Sequence, residues 1–131
     1  MIQGVGLIGL GKMGHPMARH LIAHGLSVSG CDLDSARRGD AAELGVTVLE
    51  TPRAVAQASD LVVVIVGFDD EVFAVLRGDD GVYAGLREGA VIGIASTVAI
   101  DTMCMIGEEV AALGRGGSVL DIPICRGEPA A

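Results

Sequence analysis

Behind the apolar run Val5-Gly6-Leu7-Ile8 comes Gly9-Leu10-Gly11-Lys12-Met13-Gly14, and a helical pattern follows at once. Glycines spaced G-x-G-x-x-G suit a strand that must turn sharply into a helix. The first permits the bend, the second lets backbone approach a ligand, and the third lets helix pack on strand. The helix then aims its N-terminal amides and the positive end of its dipole at whatever lies over the turn, an arrangement suited to phosphate. Asp32 closes the next apolar run, where a carboxylate can accept hydrogen bonds from a ribose. Glycine is abundant, 20 of 131 residues, so the triplet alone decides little. Strand before, helix after and an acid at the end of the second strand together make a dinucleotide-binding fingerprint.

Apolar periodicity extends the same plan along the chain. Residues 4–8 are predicted as the first strand and 13–24 as a helix whose Met13, Met17 and Leu21 share a face, ended by Gly25. Strand, helix and strand follow over 26–31, 35–44 and 46–49. A helix over 52–58 leads into 61–66, a run without polar alternation, as a parallel strand covered on both faces requires. Residues 69–76 are predicted helical, 78–81 a turn and 90–95 a fifth strand. Met103, Ile106, Val110 and Leu113 mark a helix face that stops at Gly114, ahead of a sixth strand over 118–122. This alternation predicts an α/β doubly wound parallel sheet, the Rossmann dinucleotide-binding fold, with six strands in the order 3-2-1-4-5-6. Residues 1–131 are too few for two ordinary domains and read as one.

A formal net charge of −8 argues against nucleic acid or an anionic membrane as partner, since either needs a basic face. It does not argue against a dinucleotide, because backbone amides hold a pyrophosphate unaided. No uninterrupted apolar stretch reaches membrane-spanning length, and no basic region precedes the first apolar run, which therefore reads as a strand and not as a secretory signal. Cys31, Cys104 and Cys125 are odd in number and form no CxxC pair, which suits reduced thiols in the cytoplasm. His20 and His24 are four apart on the first helix, but neither a glutamate between them nor a third ligand is evident, so no metal is expected.

In open parallel sheets ligands bind outside the carboxyl ends of the strands. That rule selects the glycine loop, Asp32, Pro52, Val66-Gly67, Ser96-Thr97 and the stretch from Pro123 to Gly127. Asp32 suits the ribose hydroxyls of NAD, and its charge would repel the extra phosphate of NADP. Leu33 offers no guanidinium to reverse this, and Arg37 and Arg38 are within sequence reach of a 2′-phosphate but read better as solvated residues of the second helix. NAD is therefore expected over NADP.

Three separated motifs resemble those of the β-hydroxyacid dehydrogenases, a family that includes 3-hydroxyisobutyrate, tartronate semialdehyde, L-threonate and, more distantly, 6-phosphogluconate dehydrogenases. Residues 6–18 are similar to its opening signature, with Met13 before the third glycine and Met17-Ala18 after it. Ala95-Ser96-Thr97 resembles its Ser-Thr turn after the fifth strand, and Asp121-Ile122-Pro123-Ile124-Cys125-Arg126-Gly127 stands where the family has Asp-Ala-Pro-Val-Ser-Gly-Gly. The resemblance implies that Gly9, Leu10, Gly11, Lys12, Met13 and Gly14 hold the pyrophosphate and neighbouring ribose, and Asp32 the adenosine ribose. It also implies that Val66, Gly67 and Thr97 lie along the nicotinamide, while Ser96, Cys125, Arg126 and Gly127 line a substrate pocket. Gly67 departs from the family's usual proline, and Cys125-Arg126 departs from its Ser-Gly. Arg126 has a planar fork that can clamp a substrate carboxylate, and Cys125 reads as a small substitute for serine with no base fixed near it.

Alcohol oxidation needs a positioned base as well as a hydride acceptor. In the family that base is a lysine on a helix of a C-terminal catalytic and dimerisation domain, and Lys12, the single lysine here, lies in the glycine loop. The chain is thus expected to be the NAD-binding half of a dehydrogenase of small β-hydroxyacids, without a catalytic residue and inactive by itself. A homo-oligomer of the whole protein would form through the absent domain. A stand-alone NAD(P)-binding or regulatory module is the alternative, and a methyl-donor nucleotide fold is disfavoured by the later Ser-Thr and Asp-x-Pro turns.

Overall fold

The computed structural model describes residues 1–124. Its strands are β1 (Gly4–Ile8), β2 (Ser27–Cys31), β3 (Thr47–Val48), β4 (Leu61–Val64), β5 (Val91–Ile94) and β6 (Ser118–Asp121). The helices are α1 (Gly14–Ala23), α2 (Ser35–Leu44), α3 (Pro52–Gln57), α4 (Asp69–Leu76), α5 (Val82–Gly85) and α6 (Ile100–Ala112). All strand pairs are parallel, and the order is β3-β2-β1-β4-β5-β6, the doubly wound arrangement predicted from the alternation of elements.

The uninterrupted apolar strands are explained by helices on both faces of the sheet. Val5, Leu7 and Val63 meet Ala18 of α1 and Ala41 of α2 on one face. Ile8, Val62, Val64, Ile92 and Ile94 meet Val55, Val72, Leu76, Ile106 and Val110 from α3, α4 and α6 on the other. Successive residues of β4 thus enter opposite cores, as the period of a strand demands. Burying each of these valine, leucine and isoleucine side chains contributes roughly 1.5–3 kcal/mol. Polar side chains begin the helices where the sequence permits: Asp34 accepts from the amides of Ala36 and Arg37 at the start of α2, and Thr51 from that of Ala54 at the start of α3. Both satisfy amides that a helix leaves without internal partners.

Besides shifts of one residue at other ends, four departures from expectation stand out. β4 ends at Val64 although apolar residues continue to Val66: Ile65 N–H still donates to the Ile8 carbonyl at 2.8 Å, but Val66 N–H donates to the Ser96 hydroxyl at 2.9 Å. The chain leaves the sheet there. β3 is an edge strand that pairs only with Ser29 and Gly30 and shrinks to two residues. α6 starts at Ile100, ahead of the first residue of its predicted apolar face. α5 was not foreseen, because one turn held by the buried Val82 has too few residues to show a period.

Among the described residues no helix is long and apolar enough to cross a membrane, and no group of three or more His, Cys, Asp or Glu is placed to hold a metal. His24 Nδ1 instead lies 2.8 Å from the His20 carbonyl, closing the end of α1.

Candidate dinucleotide site

The turn from β1 into α1 is built so that only glycine fits at two of its positions. Gly9 has φ 109°, and a Cβ there would fall 2.1 Å from the Ile65 carbonyl oxygen. A Cβ on Gly14 would fall 2.1 Å from the Gly9 carbonyl oxygen, so α1 begins in direct backbone contact with the bend. Gly11 is different. The three atoms nearest its Cβ position all belong to the Arg37 guanidinium, the first 3.3 Å away. The loop is therefore closed underneath and approachable from above.

No side chain caps α1, whose first residues Met13 and Gly14 follow directly on the loop. Of its opening amides, that of His15 donates to the Gly11 carbonyl at 2.9 Å and Pro16 has none, so the Gly14 amide is left for a ligand, and the helix dipole favours an anion there. An open cleft of about 390 Å³ adjoins this turn, lined by Leu10, Gly11, Lys12, His15, Arg37 and Asp40 among others.

Asp32 is held against the loop by backbone. Oδ2 accepts from the Leu10 amide at 2.8 Å, Oδ1 accepts from the Asp34 amide at 2.8 Å, and the side chain is only 9% exposed. The carboxylate thus faces the glycine turn, as a ribose partner must. The neighbouring Cys31 thiol is pushed up to about 11 by burial and by the charge of Asp32, so it stays protonated.

On the other side of the switch between β1 and β4, the turns after β4 and β5 come together. The Ser96 hydroxyl accepts from Val66 N–H at 2.9 Å and donates to the Val66 carbonyl at 2.8 Å. Ser96 is buried, whereas Thr97 and Gly67 are exposed at the carboxyl edge. Gly67 N–H donates to Glu71 Oε2 at 3.0 Å, a contact that the family's proline could not make. Asp69 accepts from the Thr102 hydroxyl and from the Ala99 amide at 3.2 Å, which holds its carboxyl below the usual range and ties the start of α4 to that of α6. Glu71, Asp69 and Thr102 were not singled out from sequence. The three acids opening α4 were the available signal, since carboxylates favour helix N-termini. Cys125, Arg126 and Gly127 lie outside the described residues.

An approachable glycine turn, an uncapped helix and a carboxylate held beside them fit a dinucleotide, so fold and site together define a Rossmann nucleotide-binding domain. Residues 4–131 match the family described as the NAD binding domain of 6-phosphogluconate dehydrogenase, and the chain belongs to that NAD-binding domain of the β-hydroxyacid dehydrogenases. A relative named probable 3-hydroxyisobutyrate dehydrogenase-like 3, mitochondrial, from Arabidopsis thaliana is 40% identical over 87 residues, 66% of this chain and 27% of its own length. The mitochondrial 3-hydroxyisobutyrate dehydrogenase of Rattus norvegicus is 29% identical over 127 residues, 97% of this chain and 37% of the relative. Among solved structures, 3-hydroxyisobutyrate dehydrogenase from Salmonella typhimurium superposes with a TM-score of 0.87 at 29% identity, covering 96% of this chain and 43% of that one. The chain thus spans well under half the length of these relatives.

Proposed function

We propose that the diphosphate of NAD lies across Gly9, Leu10, Gly11, Lys12, Met13 and Gly14, with Asp32 accepting hydrogen bonds from the adenosine ribose. Val66, Gly67 and Thr97 then border the nicotinamide, beyond the β1–β4 switch. The observation that carries this reading is the conjunction at one turn: a Gly11 whose nearest neighbour is the exposed Arg37 side chain, an α1 without a side-chain cap, and Asp32 fixed toward both. Bound nicotinamide supplies the hydride acceptor or donor for a small β-hydroxyacid substrate.

Within this reading the domain's own residues bind and orient. Loop amides and Lys12 offset phosphate charge, and the Ser96 hydroxyl fixes the Val66 turn against the end of β5. Moving the hydroxyl proton of the substrate requires a base, and Lys12 is committed by position to the phosphate side. The base, the substrate-facing helical domain and the contacts of a homo-oligomer are therefore assigned to other parts of the whole dehydrogenase, whose relatives are more than twice as long as this chain. The segment 125–127, with Arg126 able to pair with a substrate carboxylate, belongs to that pocket in the proposal.

Parallel calorimetric titration with NAD, NADP and S-adenosylmethionine tests the cofactor reading. NAD should bind tightest, S-adenosylmethionine should not bind, and Asp32→Ala should weaken NAD by about tenfold while weakening NADP less, since one lost charged hydrogen bond is about 1.4 kcal/mol or more. Tighter binding of S-adenosylmethionine, or an Asp32→Ala variant with parental NAD affinity, would refute the assignment.

A further inference from the structure

Two consecutive arginines stand in the first turn of α2, and the fold uses them differently. Arg38 is committed to backbone: Nη1 donates to the carbonyl of Asp32 at 2.8 Å and to that of Leu33 at 3.0 Å. It clamps the end of β2 to α2. Arg37 makes no side-chain hydrogen bond among the described residues. Its Nη1 stands 3.8 Å from Asp32 Oδ2, beyond hydrogen-bonding reach, and its side chain is 54% exposed. The guanidinium carbon hangs 3.3 Å from where a Gly11 Cβ would be, on the wall of the cleft that Lys12 and His15 also line. Leu33, the residue after the acid, is fully exposed and carries no charge.

An aspartate at the end of β2 ordinarily refuses a 2′-phosphate, because carboxylate and phosphate would share one small space. Here that repulsion is already weakened. Each Asp32 oxygen accepts a backbone amide, and Arg37 contributes a cation at short range. A guanidinium with no hydrogen-bonding partner among the described residues can turn from the carboxylate to a phosphate with little to break, and its planar fork takes two phosphate oxygens at once. Lys12 and Asp40 line the same cleft, so a second cation and one carboxylate share it with Arg37.

We propose that Arg37 sets the balance between the two dinucleotides: it offsets Asp32 and receives the adenosine 2′-phosphate, so the domain accepts NADP beside NAD. This rests on the cofactor seat proposed above, and it revises the reading of Arg37 as a merely solvated residue. Lys12 is an auxiliary charge in this scheme and Arg38 a positioning residue.

The test is calorimetric titration of the 131-residue chain with NAD and NADP, at low and at moderate salt, for the parent, Arg37→Gln and Arg37→Lys. The parent should bind NADP within about tenfold of NAD, with the steeper salt dependence for NADP. Arg37→Gln should widen the NAD-to-NADP affinity ratio by about tenfold or more, and Arg37→Lys should fall between, because an ammonium keeps the charge and loses the fork. Arg37→Gln with an unchanged ratio, or one that weakens both dinucleotides equally, overturns this inference and leaves the seat standing. A parent that binds neither dinucleotide overturns the seat and this inference together, while measurable NAD affinity in each variant shows that it is folded.

Discussion

The two halves of the carboxyl edge of the sheet are held by different means. On the β1–β2 side the turn itself is backbone against backbone, Gly14 on Gly9 and Gly9 on Ile65, with a single side chain, Asp32, accepting from the amides of Leu10 and Asp34. On the β4–β5 side it is side chain against backbone: Ser96 on Val66, Glu71 on Gly67, and Asp69 on Ala99 with Thr102. The first arrangement tolerates almost no change of residue type, because no other side chain can vanish as glycine does. The second can be rebuilt with other polar pairs. In the function proposed above, a diphosphate needs a fixed cradle of amides, whereas the turns beyond the switch are asked to fit a cofactor ring and a substrate.

The sharpest way to break this contrast is Gly9→Ala. It adds a Cβ 2.1 Å from a carbonyl oxygen at a backbone φ of 109°, and should cost about 3 kcal/mol or more, seen as a large drop in melting temperature and loss of NAD binding. A Gly9→Ala protein with parental melting and NAD affinity would show that the bend is not closed as described. Ser96→Ala comes next. It leaves the Val66 amide without its partner and should cost about 1–3 kcal/mol, with a smaller loss of NAD affinity, because the adenosine half stays intact. Equal loss of stability and affinity in both variants would erase the distinction between the halves.

Acid provides the gentlest probe. Asp69 at the carboxyl edge and Asp60 at the opposite end of the sheet both titrate below their ordinary value of 3.8. Asp69 is held there by the Thr102 hydroxyl and the Ala99 amide, and Asp60 by the amides of Gly4 and Gln3 with help from Arg87. A carboxyl lowered in the folded state contributes stability above its unfolded value and loses it as pH falls through the folded one. Urea midpoints should therefore hold level from pH 7 to about 5 and decline below about 4. Asp60→Asn and Asp69→Asn should each flatten part of that decline, and only Asp69→Asn should also alter NAD affinity. A midpoint that rises on acidification would contradict both.

This contrast also governs what could be read from the chain. Gly9, Gly11, Gly14 and Asp32 are legible because a sharp bend, a close approach and a terminal carboxylate each demand one residue type at one spacing. The order of six strands followed from alternation of period and from the absence of polar residues in β4. The Ser96 staple was not legible, since a serine after a strand says nothing of which amide it will meet. The same holds for α5, where a single turn offers no period, and for the end of β4, where apolar residues outlast the ladder that the Ser96 hydroxyl interrupts. Arg37 and Arg38 are identical in type and adjacent in sequence, and only their partners in space separate a clamp from a loose cation.

Cys31 ends β2 immediately before the acid that faces the glycine turn, buried and with its thiol held near 11. At neutral pH such a sulfur offers almost no thiolate to alkylating reagents or peroxide, so the chemistry of oxidative stress bypasses the end of β2. Of the two described cysteines Cys104, exposed on α6, takes a label or an oxidant first. A fluorophore attached there reports on the domain from outside the seat of the cofactor.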